Sequence, residues 1–113
     1  MSLTDEAAGS IALRVIEAVD GFAPTELSLS VSAALRILPG RREVYRGELS
    51  EGRVVVAKRF LEHPKQSRDW RQEWEGLVTL GELELSAPTP LCVAEEVDGP
   101  AVWVIMRCIE DAR

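Results

Sequence analysis

The sequence predicts an α+β domain: an antiparallel sheet of about five strands, one helix packed across it, and a second helix at the amino terminus. Two pairs of β-prone runs, each joined by a short turn signal, predict the sheet. A single long stretch at helical spacing separates the pairs. Prolines stand at the junctions, where they lack the N–H that a helix or a ladder needs.

Residues 4–20 read as an amphipathic helix. Ser2 or Thr4 suits its cap, Asp5 and Glu6 its positive end, and Gly21 its stop. Ile11, Val15, Ala18 and Phe22 recur at helical spacing and predict one buried face. After Pro24, residues 27–32 alternate at period two and read as a strand. Ala33, Ala34 and Leu35 favour a competing short helix over 31–38, and both readings stand.

Pro39 and Gly40 punctuate the chain. Runs 43–49 and 53–60 then form a hairpin through Ser50, Glu51 and Gly52, with glycine where a positive φ is needed. Pro64 ends the second strand. Residues 67–83 are helical, with Trp70, Trp74, Leu77 and Gly81 on one face and Leu80 beside them. Pro88 and Pro90 stop that helix, and Asp98, Gly99 and Pro100 turn between strands 91–97 and 101–109. The chain divides into residues 1–34, a helix and linker, and residues 35–113, the sheet domain.

Composition narrows the function classes. The 113 residues are 46% hydrophobic and 28% charged, which suits one small globular core. A formal net charge of −6 argues against nucleic acid as partner, since phosphate-backbone binding requires clustered positive charge. One stretch is locally basic: Arg36, Arg41, Arg42 and Arg46 are opposed only by Glu43, as a solvated hairpin or as an anion-facing loop. Cys92 and Cys108 form no C-x-x-C pair, and His63 is the sole histidine, too few soft ligands for a closed zinc site. Buried free thiols, no membrane span and no signal segment predict a cytoplasmic protein.

Two residues point to chemistry. Lys58 ends the run Val54, Val55, Val56, Ala57, and period two puts it on one face with Val54, Val56 and Phe60. A lysine there either snorkels to solvent at the sheet edge or meets an anion. Glu73 lies with Leu77 and Leu80 at i+4 and i+7, at the margin of the buried helix face, and a carboxylate so placed wants a cation. Its alternative is an ordinary surface acid, beside Glu75, Glu82 and Glu84. A strand followed by a helix packed back across it predicts that the Lys58 and Glu73 side chains meet.

This pattern resembles the amino-terminal lobe of the protein-kinase-like fold. Val54 to Lys58 looks like the V-A-I-K strand, and Glu73, Leu77 and Leu80 resemble its αC helix. Gly40 to Gly47 is similar to the nucleotide-covering hairpin, residues 87–91 to the link after αC, and Val102 to Met106 to the fifth strand, with the hinge near 107–111. Within that fold, the pattern resembles the bacterial lipopolysaccharide core kinases acting on Kdo or heptose. The resemblance implies ATP with magnesium, Lys58 as phosphate ligand and Glu73 as its orienter. It also implies that Gly40, Arg41 and Arg42 lie near the phosphates, that Val44 and Val56 pack on adenine, and that Met106 backs the base.

The sequence departs from that family at several places. Gly40 is the only remnant of a G-x-G-x-x-G loop, with Arg42 where the third glycine falls, so Arg41 or Arg42 would supply side-chain contacts instead. Val56 replaces a small alanine. No H-R-D-x-x-x-x-N or D-F-G element is present, and Asp111 is too near the hinge to serve. The expectation is a nucleotide-facing lobe that does not catalyse phosphoryl transfer alone, binds ATP weakly or not at all, and needs a second lobe or a partner protein. Magnesium's ligands are not in this chain. The alternatives are a stand-alone, non-catalytic interaction module and an unrelated α+β domain in which Lys58 merely snorkels.

Overall fold

The computed structural model describes residues 10–82 and 89–108. Six strands, β1 (Ser10–Ala18), β2 (Glu26–Leu38), β3 (Arg42–Leu49), β4 (Val54–Phe60), β5 (Pro90–Glu96) and β6 (Val102–Arg107), accompany one helix, α1 (Gln66–Glu82). The strands close into a barrel in the order β1-β2-β3-β4-β6-β5, and every pairing is antiparallel.

This architecture corrects the predicted fold. The sheet is a closed six-stranded barrel, not an open five-stranded sheet of kinase-lobe type, and the helix expected over 4–20 is strand over Ser10–Ala18. β1 makes the difference, because it bonds to β2 on one side and β5 on the other. The physical reason lies in its spacing. Ile11 and Val15 stand four apart, which suits a helix, but with Leu13 between them they equally form a period-two row. Leu13 is 1% exposed and points into the barrel. β-branched Ile11, Val15 and Ile16 also lose less in a strand than in a helix. The proposed caps Ser2, Thr4, Asp5 and Glu6 lie outside the described residues, as do residues 83–88 and 109–113.

β2 settles the open alternative at 31–38 as strand over its full 13 residues. Its register with β3 shifts twice, between Val31 and Ala33 and between Ala34 and Arg36. Such bulges increase the local twist and help a sheet curl into a barrel. Close approach matters at Gly47 of β3, where a Cβ would stand 2.5 Å from the Ser30 carbonyl oxygen. At the tip of the β2–β3 hairpin Gly40 has φ 76°, a conformation that a side chain disfavours.

Two apolar clusters share the sheet. Leu13, Leu27, Leu29, Tyr45, Leu49, Val55, Ala57, Ala94, Trp103 and Ile105 fill the barrel. On its outer surface Phe60, Val93, Val104 and Met106 receive Trp70, Trp74 and Leu77 from α1. Alternation along β4 and β6 therefore serves two cores, one on each face. Gln66 fixes the start of α1, its side-chain amide donating to the carbonyls of Phe60 and Pro100 at 2.9 Å each. Leu80 is 38% exposed and lies outside that cluster.

Candidate functional site

β4 alternates between the two cores, and that parity places its last charged residues on opposite sides. Val55 and Ala57 face the interior, so Arg59 follows them inward at the barrel's end. Val56, Lys58 and Phe60 face out toward α1. Lys58 Nζ lies 2.5 Å from Glu73 Oε2, and the two side chains are 25% and 21% exposed. The expected meeting of strand lysine and helix glutamate is present. Partial burial strengthens such a pair relative to one in open water.

The other sequence-predicted residues distribute around this pair. Register sets Val44 of β3 opposite Lys58 and Arg42 opposite Phe60, whose ring lies 5.6 Å from the Arg42 guanidinium carbon. The β2–β3 turn carrying Gly40 bends toward α1, where Arg41 donates to Asp69 Oδ2 at 2.9 Å. A cavity of about 350 Å³ opens between hairpin and helix, lined by Leu38, Arg41, Arg42, Phe60, Asp69, Gln72 and Glu73. Val56 and Met106 are not part of it. They pack beneath α1 with the tryptophans, and Met106 is 3% exposed. Of the expected adenine contacts, Val44 beside Lys58 and Val56 are each half-buried, and Met106 is buried.

Electrostatics in the cleft are organised by pairing. The hydrogen bond from Arg41 holds the Asp69 carboxyl below its ordinary range, with further help from the charges of Arg41 and Arg68. His63 Nε2 lies 3.3 Å from the same Asp69 oxygen. Its Nδ1 accepts from the Lys65 backbone N–H at 3.2 Å, which leaves Nε2 as the protonated nitrogen of the neutral ring. Arg42 has an aromatic face rather than a carboxylate beside it. Magnesium finds no ligand set here: Asp69 and Glu73 are each held by a cation, and no group of three or more metal-binding side chains exists among the described residues.

A larger cavity of about 430 Å³ lies toward the other end of α1, lined by Glu17, Asp20, Trp74 and Val78 among others, with no basic side chain among the described residues. Its acids disfavour an anion, so the hairpin–helix cleft is the better candidate.

Sequence reasoning missed two features. Asp69 stands four residues before Glu73, hence on the same helix stripe, and that spacing could have revealed it. The second is the inward Arg59. Its Nε and Nη2 donate to Glu96 at 2.7 and 3.2 Å and its Nη1 to Glu43 at 3.1 Å. Glu96 also accepts from Trp103 Nε1 at 2.7 Å and Glu43 from the Tyr45 hydroxyl at 2.9 Å. Burial opposes the guanidinium charge, but the two carboxylates outweigh it and the Arg59 pKa is raised. This network closes one end of the barrel with satisfied charge. Tyr45 and Trp103, both fully buried, fill the interior beneath it.

Comparison with family models, with curated proteins and with solved structures gives no match for this chain.

Proposed function

We propose that the hairpin–helix cleft binds the phosphates of a nucleotide, ATP foremost, as the nucleotide-holding part of a phosphotransferase. The observation that carries this reading is the Lys58–Glu73 pair: a cation on a central strand, oriented by a helix carboxylate that itself lines a cavity together with Arg41 and Arg42. An ion pair that already fixes the lysine reduces the ordering needed when a phosphate arrives. Arg41 and Arg42 supply side-chain donors where a glycine loop would otherwise offer backbone amides. Phosphoryl transfer would need a base and metal ligands from a second lobe or partner protein, so the chain by itself binds weakly and does not turn over. A sugar of the lipopolysaccharide core is the acceptor class that the sequence resemblance suggests. No helix among the described residues is long and apolar enough to cross a membrane. The buried Cys92 thiol suits a reducing compartment, so we place the protein in the cytoplasm.

Titration of the ¹⁵N-labelled chain with ATP tests the reading. Backbone signals of Lys58, Glu73, Arg41 and Arg42 should shift in a saturable manner, and Lys58→Met should weaken binding at least about tenfold, the loss of one charge-assisted phosphate contact. Equal binding by Lys58→Met would refute it.

A docking module is the second reading. It is favoured by Leu35, Ile37 and Leu38, which are 53%, 43% and 43% exposed at the end of β2. A Leu35→Ser, Ile37→Ser chain that loses a partner while keeping its ATP response would support it.

A further inference from the structure

β2 runs on past the strand beside it. β1 opposes it only over 26–30, whereas β3 opposes it over 29–38. Among the described residues no strand lies against the other edge of 31–38, so the ladder groups on that side have no protein partner there. The two register shifts bend this edge without covering it. A bare edge templates pairing with another chain, and is ordinarily blunted by charge, proline or short length. This one carries a single charge, Arg36, among the exposed aliphatic side chains of Leu35, Ile37 and Leu38.

Register assigns these side chains to faces. Arg36 stands opposite Val44, and Val44 opposite Lys58, so Arg36 shares the outer face of the barrel with them. Ile37 stands opposite Glu43, which has the parity of buried Tyr45, so it belongs to the other face. The charge of the hairpin is one-sided. Glu43, its only acid over 31–47, is held by Arg59 and Tyr45, and Arg36 has no carboxylate partner among the described residues. These facts separate three kinds of occupant. The hydrocarbon of a bilayer cannot satisfy bare ladder groups. A second copy would set one basic hairpin edge against another. An extended segment bearing carboxylates satisfies both the backbone and the charge.

We propose that the edge of β2 over 31–38 takes up an extended acidic segment of a partner protein as an added strand. Ladder hydrogen bonds to the bare edge supply the attachment. A carboxylate of the segment stands across from Arg36 on the outer face, and apolar side chains of its alternate residues cover Ile37 on the other. The partner is thus a β-prone stretch in which acidic and apolar residues alternate. This inference rests on the docking reading, to which it gives a partner, and is independent of the nucleotide reading of the cleft.

The test is an NMR titration of the full ¹⁵N-labelled chain with three synthetic probes: a short peptide alternating valine and glutamate, its lysine-for-glutamate counterpart, and the glutamate peptide N-methylated at alternate amides. The glutamate peptide should shift the amide signals of 31–38 in a saturable manner and bind about five- to tenfold more tightly than the lysine peptide. N-methylation, which removes the ladder donors, should abolish binding. Arg36→Glu, at an exposed position, should reverse the order of the first two peptides. Equal binding of the glutamate and lysine peptides, undiminished binding of the N-methylated one, shifts centred away from 31–38, or an unchanged order in Arg36→Glu each overturn the proposal. Should no peptide bind, the proposal falls, and two measurements decide whether the docking reading falls with it: binding to vesicles of phosphatidylserine and phosphatidylcholine, and self-association by sedimentation. Either of these, if lost in Leu35→Ser, Ile37→Ser, leaves a docking surface with a different occupant; neither removes the docking reading as well.

Discussion

Replacing Arg59 by methionine puts the inward charge network to the test. The side chain is 19% exposed and its partners Glu43 and Glu96 are 11% and 10% exposed. Methionine fills similar volume but leaves two carboxylates facing each other in the barrel mouth without a cation. Breaking a buried pair by removing one partner typically costs 3–5 kcal/mol, and here one cation serves two acids. Residual exposure argues for the lower half of that range, about 3–4 kcal/mol. Urea unfolding followed by tryptophan fluorescence would measure it, because Trp103 donates directly to Glu96. The loss should shrink to about 1 kcal/mol or less in the triple variant Glu43→Gln, Arg59→Met, Glu96→Gln, where no unpaired charge remains. A single variant that loses under 1 kcal/mol would refute the reasoning, since it would mean that water or rearrangement relieves the two acids without cost. So would a triple variant as unstable as the single one.

Three further outcomes follow from the same structure. The Lys58→Met, Glu73→Gln double-mutant cycle should give a coupling energy of about 1–2 kcal/mol in urea unfolding, above an exposed pair and below a fully buried one. Burial pushes the Cys92 thiol up to about 12, so at pH 8 an aromatic disulfide reagent should titrate Cys108, half-exposed, and reach Cys92 only on unfolding. The Asp69 carboxyl is held below its ordinary 3.8 when folded, so it stabilises the native state above that value and loses the contribution as pH falls through the lower folded pKa. Wild type should therefore unfold at higher urea than Asp69→Asn at pH 6, with the difference closing only below about pH 4.

Much of the chain announces itself locally. The β3–β4 and β5–β6 hairpins rest on turn chemistry at Gly52 and at Asp98 to Pro100, and α1 on the Trp70, Trp74, Leu77 stripe; each lies within two or three residues of its predicted bounds. The Lys58–Glu73 contact was legible for the same reason, since strand parity and helix stripe are both local rules. β1 was not. An odd-numbered apolar row at 11, 13 and 15 satisfies helix and strand alike, and the choice was made by partners as remote as Glu96. Barrel closure leaves no mark in any short window. Arg59 shows a different kind of failure: an arginine after a run of small apolar residues suggests a surface, yet Val55, Ala57 and Arg59 share one parity, and two distant glutamates make the inward position tenable. Val56 and Met106 were assigned to a base because the family pattern puts them there, whereas here α1 covers them.

The closure of the barrel bears on how the chain is made. Its first strand is synthesised well before its second neighbour exists, for Leu13 waits on Glu96 across most of the polypeptide. Until β5 emerges, the rims of β1 and of the growing sheet stand open, with ladder groups ready to pair with any passing strand. Closure joins the barrel's first strand in sequence to one of its last, so an unfinished sheet keeps an open rim at β1 and β5 that the completed ring no longer offers.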